Sequence, residues 1–555
     1  ALERVGDTLS ITNSPKLTDV SALGALTQVT SIDFRKLPLV TDFSMLSRFT
    51  SLTGDLTLGN LPGLSNLSVL QNLQSVGSLR LETVPVASLA PLQSLTSVGN
   101  LSVRGTNIES LAGLENLTSI GGLFLNSNSQ LSSLSGAQNI TSFGSISIAF
   151  SPLLTTLAPL QPQGPIPGLV SIGQNASMRD ISALSGVTSV GQSLYLNYMP
   201  LLQSLSGVEN ITSIGDTLGI DELDGLGRVD FTALQHVGRL LVTHNDQLTV
   251  FGPTQLATVG GDVEIWSNPL GDLSGLNSLT TVHGKLDLAV QGPTDLTALS
   301  SLRSVGWFLS VSGTSLTSLH GLENLTHLGG NLSVVMTSIT DMTGAPPLSH
   351  LAGLSLFSNS QMQSLAGLES LESVAMDLVI SDMPQLTSLA ALGNLESVGY
   401  RIELKNLPSL TRLDGLQNTT MLQELMVERT GLTSMQNFPP VTSMRHLELR
   451  MNDALASLSG LESLQSVERV MISASPITSL QGLEGLQTAS NTFSLDYCPL
   501  VTSLAGIANL TYVGQWLSFY ANASLPPCEI TALEQRLGTT CSWCGENNGE
   551  GTCGL

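Results

Sequence analysis

Residues 95–121 read Leu95-Thr-Ser-Val-Gly-Asn-Leu-Ser-Val-Arg-Gly-Thr-Asn-Ile-Glu-Ser-Leu-Ala-Gly-Leu-Glu-Asn-Leu-Thr-Ser-Ile-Gly121. Apolar side chains fall at Leu95, Val98, Leu101, Val103, Ile108, Leu111 and Leu114, and Leu117 opens the same series again. Leu101 and Val103 have the period of two that a strand requires. The rest of the unit is turn chemistry. Outward from this stretch, its glycine or a residue standing in for it returns at Gly77, Gly99, Gly121, Gly144, Gly173, Gly191 and Gly215. The series runs from Gly6 to Gly514 at a period of about 23 residues.

One coil of this kind cannot stand alone. The few aliphatic side chains it buries do not offset the entropy of ordering the whole coil. Stability must come from stacking on neighbours through parallel strands about 4.8 Å apart. The expected fold is mainly β: a right-handed parallel β-solenoid of about 23 coils and roughly 105 Å, continuous over residues 1–527. Three residues beyond the second strand leucine, an inward polar residue should tie down the bend. Asn128, Asn245, Asn268, Asn359, Asn452 and Asn522 stand there, with Thr106, Thr314, Thr337 and Cys498 in other coils. Residues 161–168, rich in proline and glycine, form the one sizeable insertion and are expected to loop outward.

The motif Leu-Thr-Ser-Ile-Gly-Gly, then Leu-x-Leu, then Leu-x-Ser-Leu-x-Gly-Leu-Glu-Asn is seen at Leu117–Leu134 and Gly321–Asn331. In it the chain resembles the receptor L-domain type of leucine-rich solenoid, found in insulin- and EGF-receptor ectodomains and in microbial surface proteins. The shorter coils are also similar in spacing to internalin repeats. The resemblance implies a binding protein and names no ligand. The chain departs from receptor L domains in its length and in lacking interleaved cysteine-rich modules.

The sequence carries 43 acidic and 20 basic residues, a formal charge of −23, without a cluster of Lys or Arg. That balance argues against nucleic acid and against an anionic membrane surface. No apolar stretch reaches the length of a membrane span. Four lysines beside sixteen arginines point to a GC-rich, bacterial source.

Residues 528–555 form a cysteine-rich segment with a short helix expected at about 529–537. Cys528, Cys541, Cys544 and Cys553 allow three disulfide pairings, and Cys541-x-x-Cys544 also has zinc-ligand spacing. A disulfide-stapled helical cap is expected, which places the chain in an oxidising compartment, secreted or at a cell surface. Cys498, at an inward ladder position, reads as a buried structural thiol. Ala1 enters a repeat almost directly, so an uncapped N-terminal coil and head-to-tail self-association are further expectations.

No nucleophile elbow, phosphate-binding loop or zinc-protease motif occurs, so no catalytic residue, metal or cofactor is expected. The outward residues between strand leucines include Phe124, Ser147, Ser177, Tyr195, Glu264, Asp287, Glu403 and Glu448. Phe124 and Tyr195 are the aromatic anchors of this face. Glu264 and Asp287 fall in adjacent coils, about 5 Å apart by strand spacing. Eleven Asn-x-Ser/Thr sequons occur, and the repeat itself generates those at Asn116, Asn139, Asn210, Asn324 and Asn509. The function expected is a non-enzymatic surface solenoid that presents a lateral face to a protein or glycan. The alternatives are a structural rod or filament subunit and a polysaccharide-active solenoid.

Overall fold

The computed structural model describes residues 2–253, 255–544 and 548–549. It is a parallel β-solenoid of about 23 coils with, among the described residues, a single α-helix near its C-terminal end. The chain forms two compact units, Ala1–Val282 and His283–Leu555.

In the first unit, parallel strands succeed one another in register from Thr8–Thr12 to Val263–Trp266. Strands Ser97–Arg104 and Ser119–Asn126 place Leu101 beside Leu123 and Val103 beside Leu125. All eight apolar residues of the quoted coil, from Leu95 to Leu117, are buried. Between strands the chain runs through turns and short 3-10 helices such as Ser182–Gly186. In the second unit the same succession runs from Leu286–Ala289 to Trp543–Cys544.

The bend after most strands has a fixed construction. Its first residue lies in the left-handed region, as at Ser127 (φ 57), Phe150 (φ 55) and Tyr198 (φ 51). For a non-glycine residue that conformation costs about 1–2 kcal/mol, so the bend needs compensating bonds. The inward residue that follows supplies them. Asn128 Nδ2 donates to Val103 O (2.9 Å), while its Oδ1 accepts from Thr106 N (3.1 Å) and Thr106 Oγ1 (2.8 Å). The set recurs in the second unit at Asn452, with Val427 O, Thr430 N and Thr430 Oγ1. Asn175 and Ser151 join this buried ladder, although neither was expected from sequence. Thr314 does not join it and is exposed. Gly313 takes its place, where a Cβ would overlap the Val290 carbonyl.

The Gly-Leu-Glu-Asn motif is a second device. Gly113 has φ 112, and a Cβ there would collide with the Leu89 carbonyl of the coil before. Its N–H is accepted by Glu115, and Asn116 Nδ2 donates to Gln93 O at 2.7 Å. The same bond to the preceding coil is made by Asn139, Asn210, Asn324 and Asn509. The repeated sequon is therefore a stacking motif. Glu209, Glu323, Glu369, Glu462 and Glu484 cap their glycines as Glu115 does, so part of the acidic excess is structural.

Two expectations are corrected. Residues 161–168 do not loop outward. Gly164–Ile166 forms a strand paired with Val187–Val190, and Ile166 is buried. Gln163 and Gly168 donate to Thr141 O and Gly144 O, both at 2.8 Å, so the three prolines of the segment occupy places where no N–H is demanded. This shifts the repeat frame: the outward residue of that coil is Ser171, beside Tyr195, and not Ser177. The helix spans Pro527–Leu537, two residues earlier than expected, because Pro527 suits the first helical turn.

Cys541 is disulfide-bonded to Cys544, which settles that pairing in favour of oxidation over zinc ligation. Cys528 is also disulfide-bonded, and Cys553 lies outside the described residues. Cys498 is a free, fully buried cysteine whose thiol is pushed up to about 11 by burial.

Candidate functional site

Inward residues are spent on the core and the ladder, so chemistry available to a partner lies between the strand leucines and along the bends. In the first unit the strand face is small and hydroxylated. Ser102, Phe124 and Ser147 stand side by side on successive strands, as do Ser171, Tyr195 and Gly219. Neither aromatic ring stands free. Phe124 folds back over Gly122, and Tyr195 lies across Gly219, where neither glycine leaves room for a Cβ. Both rings are half-buried and held against the sheet.

Along the bends are two exposed apolar pairs that sequence reasoning missed, two coils apart with Gln174 on the bend between them. Phe150, Leu153, Tyr198 and Leu201 are all substantially exposed. Phe150 and Tyr198 occupy the left-handed bend residue, whose side chain has no inward position to take. The signal was available: Phe150-Ser-Pro-Leu153 and Tyr198-Met-Pro-Leu201 share an aromatic-x-Pro-Leu pattern. The Tyr198 hydroxyl is hydrogen-bonded to Glu222, which raises its pKa. Glu264, at the far end of this unit's strand face, accepts from Arg239 Nη2, and that bond raises the Arg239 pKa.

The second unit has a different face. Asp287 is half-buried beside Ser310, at the start of a run of serines. Further along, charged residues take over. Arg401 stands 3.5 Å from Asp377 and 3.4 Å from Glu403, and Lys405 stands 3.6 Å from Glu428. Glu448 is approached by His446 Nε2 at 3.6 Å and by Arg450 at 3.8 Å. Met426 lies between Glu403 and Glu448 in register, so these two carboxylates are two strand spacings apart, roughly 10 Å. Glu403 shares Arg401 with Asp377, and Glu448 has Arg450 beside it. Glu264 and Asp287 belong to separate units, and within its unit each is placed as described.

Clefts on the described surface are open grooves. One of about 490 Å³ is lined by Asn60, Pro62, Thr83, Val84, Pro85, Gly105 and Asn107. Another, of about 450 Å³ and polar, is lined by Glu372, Asn394, Glu396, Asn418 and Thr420. Among the described residues, no group of three or more His, Cys, Asp or Glu side chains could hold a metal ion. No described helix is long and apolar enough to cross a membrane.

No family model matches the sequence, and no curated protein matches it. Several solved structures do resemble the chain. They are leucine-rich-repeat proteins. An internalin (InlF) of Listeria monocytogenes is 19% identical over 61% of this chain and 83% of its own, with a TM-score of 0.30. A leucine-rich-repeat protein of Leptospira interrogans is 13% identical over 95% of this chain and 93% of its own, at a TM-score of 0.28. TLR13, solved in complex with ssRNA13, is 16% identical over 96% of this chain and 79% of its own, at 0.29. At these scores the likeness assigns no ligand to this chain, and its solenoid architecture rests on its own strand register.

Proposed function

We propose that the chain is a non-enzymatic binding module, exported to an oxidising environment or a cell surface, that engages a protein or glycan through its strand face. The observation that carries this is the placement of Phe124 and Tyr195. Each ring is held against a glycine on a face otherwise made of small, mostly hydroxylated side chains, as in a broad contact surface with a few rigid anchors. The exposed pairs Phe150 with Leu153 and Tyr198 with Leu201 add apolar area on the neighbouring bends.

The matched charges around Glu403 and Glu448 support the non-enzymatic reading, because both carboxylates serve as ion-pair partners. The Cys541–Cys544 disulfide supports export.

The test is an array of glycans and extracellular protein domains probed with the parent chain and with a Phe124→Ala/Tyr195→Ala double variant. Ligands bound by the parent and lost from the double variant, with an unchanged melting profile, are expected. Ligands retained in full by the double variant would remove the assignment.

A further inference from the structure

The C-terminal coils carry a second surface, unlike the two faces above. Two of the four tryptophans and three of the six tyrosines lie between Tyr497 and Trp543. On the strand face Trp516, Ser518 and Tyr520 follow one another at alternate positions, and Trp543 pairs beside Ser518 on the next strand. Tyr520 packs almost parallel to Trp543, with ring centroids 5.3 Å apart and planes at 22°. Tyr497, on the bend, meets Tyr520 edge to face at 5.3 Å and 72°. Three of these rings are open to solvent, Trp543 at 63% exposed, Tyr497 at 56% and Trp516 at 47%, and Tyr520 is half-buried.

Arg469 lies two strands from Trp516, across Thr492, and beyond it the charge along the chain is one-sided. From Ala474 to Leu555 the sequence has six acidic residues and one basic residue, Arg536. The described carboxylates of this stretch are held by neutral donors. Asp496 accepts from Ser494, from Ser518 Oγ (2.7 Å) and from Tyr520 N (3.0 Å). Glu484 accepts from Gly482 N, Glu529 from Leu504 N and Glu534 from Cys541 N. The guanidinium of Arg536 donates to the Ile507 carbonyl. Hydrogen bonds of this kind fix a carboxylate without cancelling its charge. This contrasts with Glu403 and Glu448, whose charges are matched by guanidinium groups.

Exposed aromatic rings beside unneutralised carboxylates are complementary to organic cations, which gain from the ring quadrupole and from the net field together. We propose that the surface formed by Trp516, Tyr520, Trp543 and Tyr497 with Asp496 docks an arginine- or lysine-bearing segment of a partner protein. Arginine fits best, because its planar guanidinium stacks on the rings while keeping its charge. The surface lies in other coils from Phe124 and Tyr195, so the inference stands or falls apart from the function proposed above.

Calorimetric titration of the full chain with an acetylated hexa-arginine peptide tests it. Saturable one-site binding is expected, weakened about tenfold by Trp543→Ala and by Tyr520→Ala. A smaller loss is expected from Asp496→Asn, and no change from the Phe124→Ala/Tyr195→Ala double variant. An unchanged melting profile for Trp543→Ala keeps the comparison clean, and Trp516→Ala gives an independent variant outside the terminal strand. Equal affinity of parent and ring variants would overturn the proposal, since attraction would then come from the overall charge of −23 alone. Tighter binding of an uncharged β-linked glucose hexasaccharide than of the peptide would overturn it in favour of a glycan platform.

Discussion

The coils around Phe124 and Tyr195 and the coils around Arg401 and Glu448 are built with the same kind of core and the same kind of bend, yet present different chemistry. In the first region the residues between strand leucines are serines, glycine and two aromatic rings laid on the sheet. In the second they are Glu403, Met426 and Glu448, with Arg401, Lys405, Glu428 and Arg450 beside them in ion pairs. The inward positions cannot vary in this way, because every coil must stack on the next. The comparison separates two alphabets in one repeat: inward residues specify the fold, and outward residues specify what the fold offers to a partner.

That separation can be broken most severely at the ladder. Asn128→Ala removes the acceptor of Thr106 N and Oγ1 and the donor to Val103 O. Orphaned buried groups cost about 1–3 kcal/mol each, so urea unfolding is expected to show a loss of about 2–4 kcal/mol. Asn452→Ala in the charged region should cost the same, because its three bonds are the same.

A smaller effect distinguishes the two faces. Arg401→Ala leaves Asp377 and Glu403 without their shared cation and is expected to cost about 1 kcal/mol at low salt. That cost should shrink at about 1 M salt, where charges are screened within about 3 Å. Tyr195→Ala, which removes no charge, should show no such salt dependence.

Cys498 gives a pH signature confined to its own coil. Burial holds its thiol up at about 11, so the unfolded thiol ionises first as pH rises. Stability contributed by the neutral buried thiol is present below the ordinary thiol range and is lost as pH climbs from there towards about 11. A Cys498→Ala chain should lack that component of the alkaline decline. A thiol reagent at neutral pH should label Cys498 only after unfolding.

Much of this was legible in the sequence because the repeat states it many times. The apolar series from Leu95 to Leu117 and the inward asparagines recur often enough that single exceptions do not hide them. The misreadings arose where a repeat happens only once. Residues 161–168 break the frame, and prolines there suggested a loop; only the structure shows that the donors the sheet needs come from Gln163 and Gly168. Gly313 replaces an inward residue with none, so counting from Val311 put Thr314 in its place. The exposed rings at Phe150 and Tyr198 went unseen for another reason: strand periodicity has nothing to say about a bend residue whose side chain must point outward.

The central claim is that outward residues are free of the fold. Its most direct test is urea unfolding of a chain carrying Phe124→Ser, Tyr195→Ser, Met426→Ser and Met471→Ser together, beside the single variant Asn128→Ala. The four outward substitutions are predicted to leave the unfolding free energy within about 1 kcal/mol of the parent, well above the ladder variant. A quadruple variant less stable than Asn128→Ala would contradict the account, because the strand face would then be part of what holds the coils together.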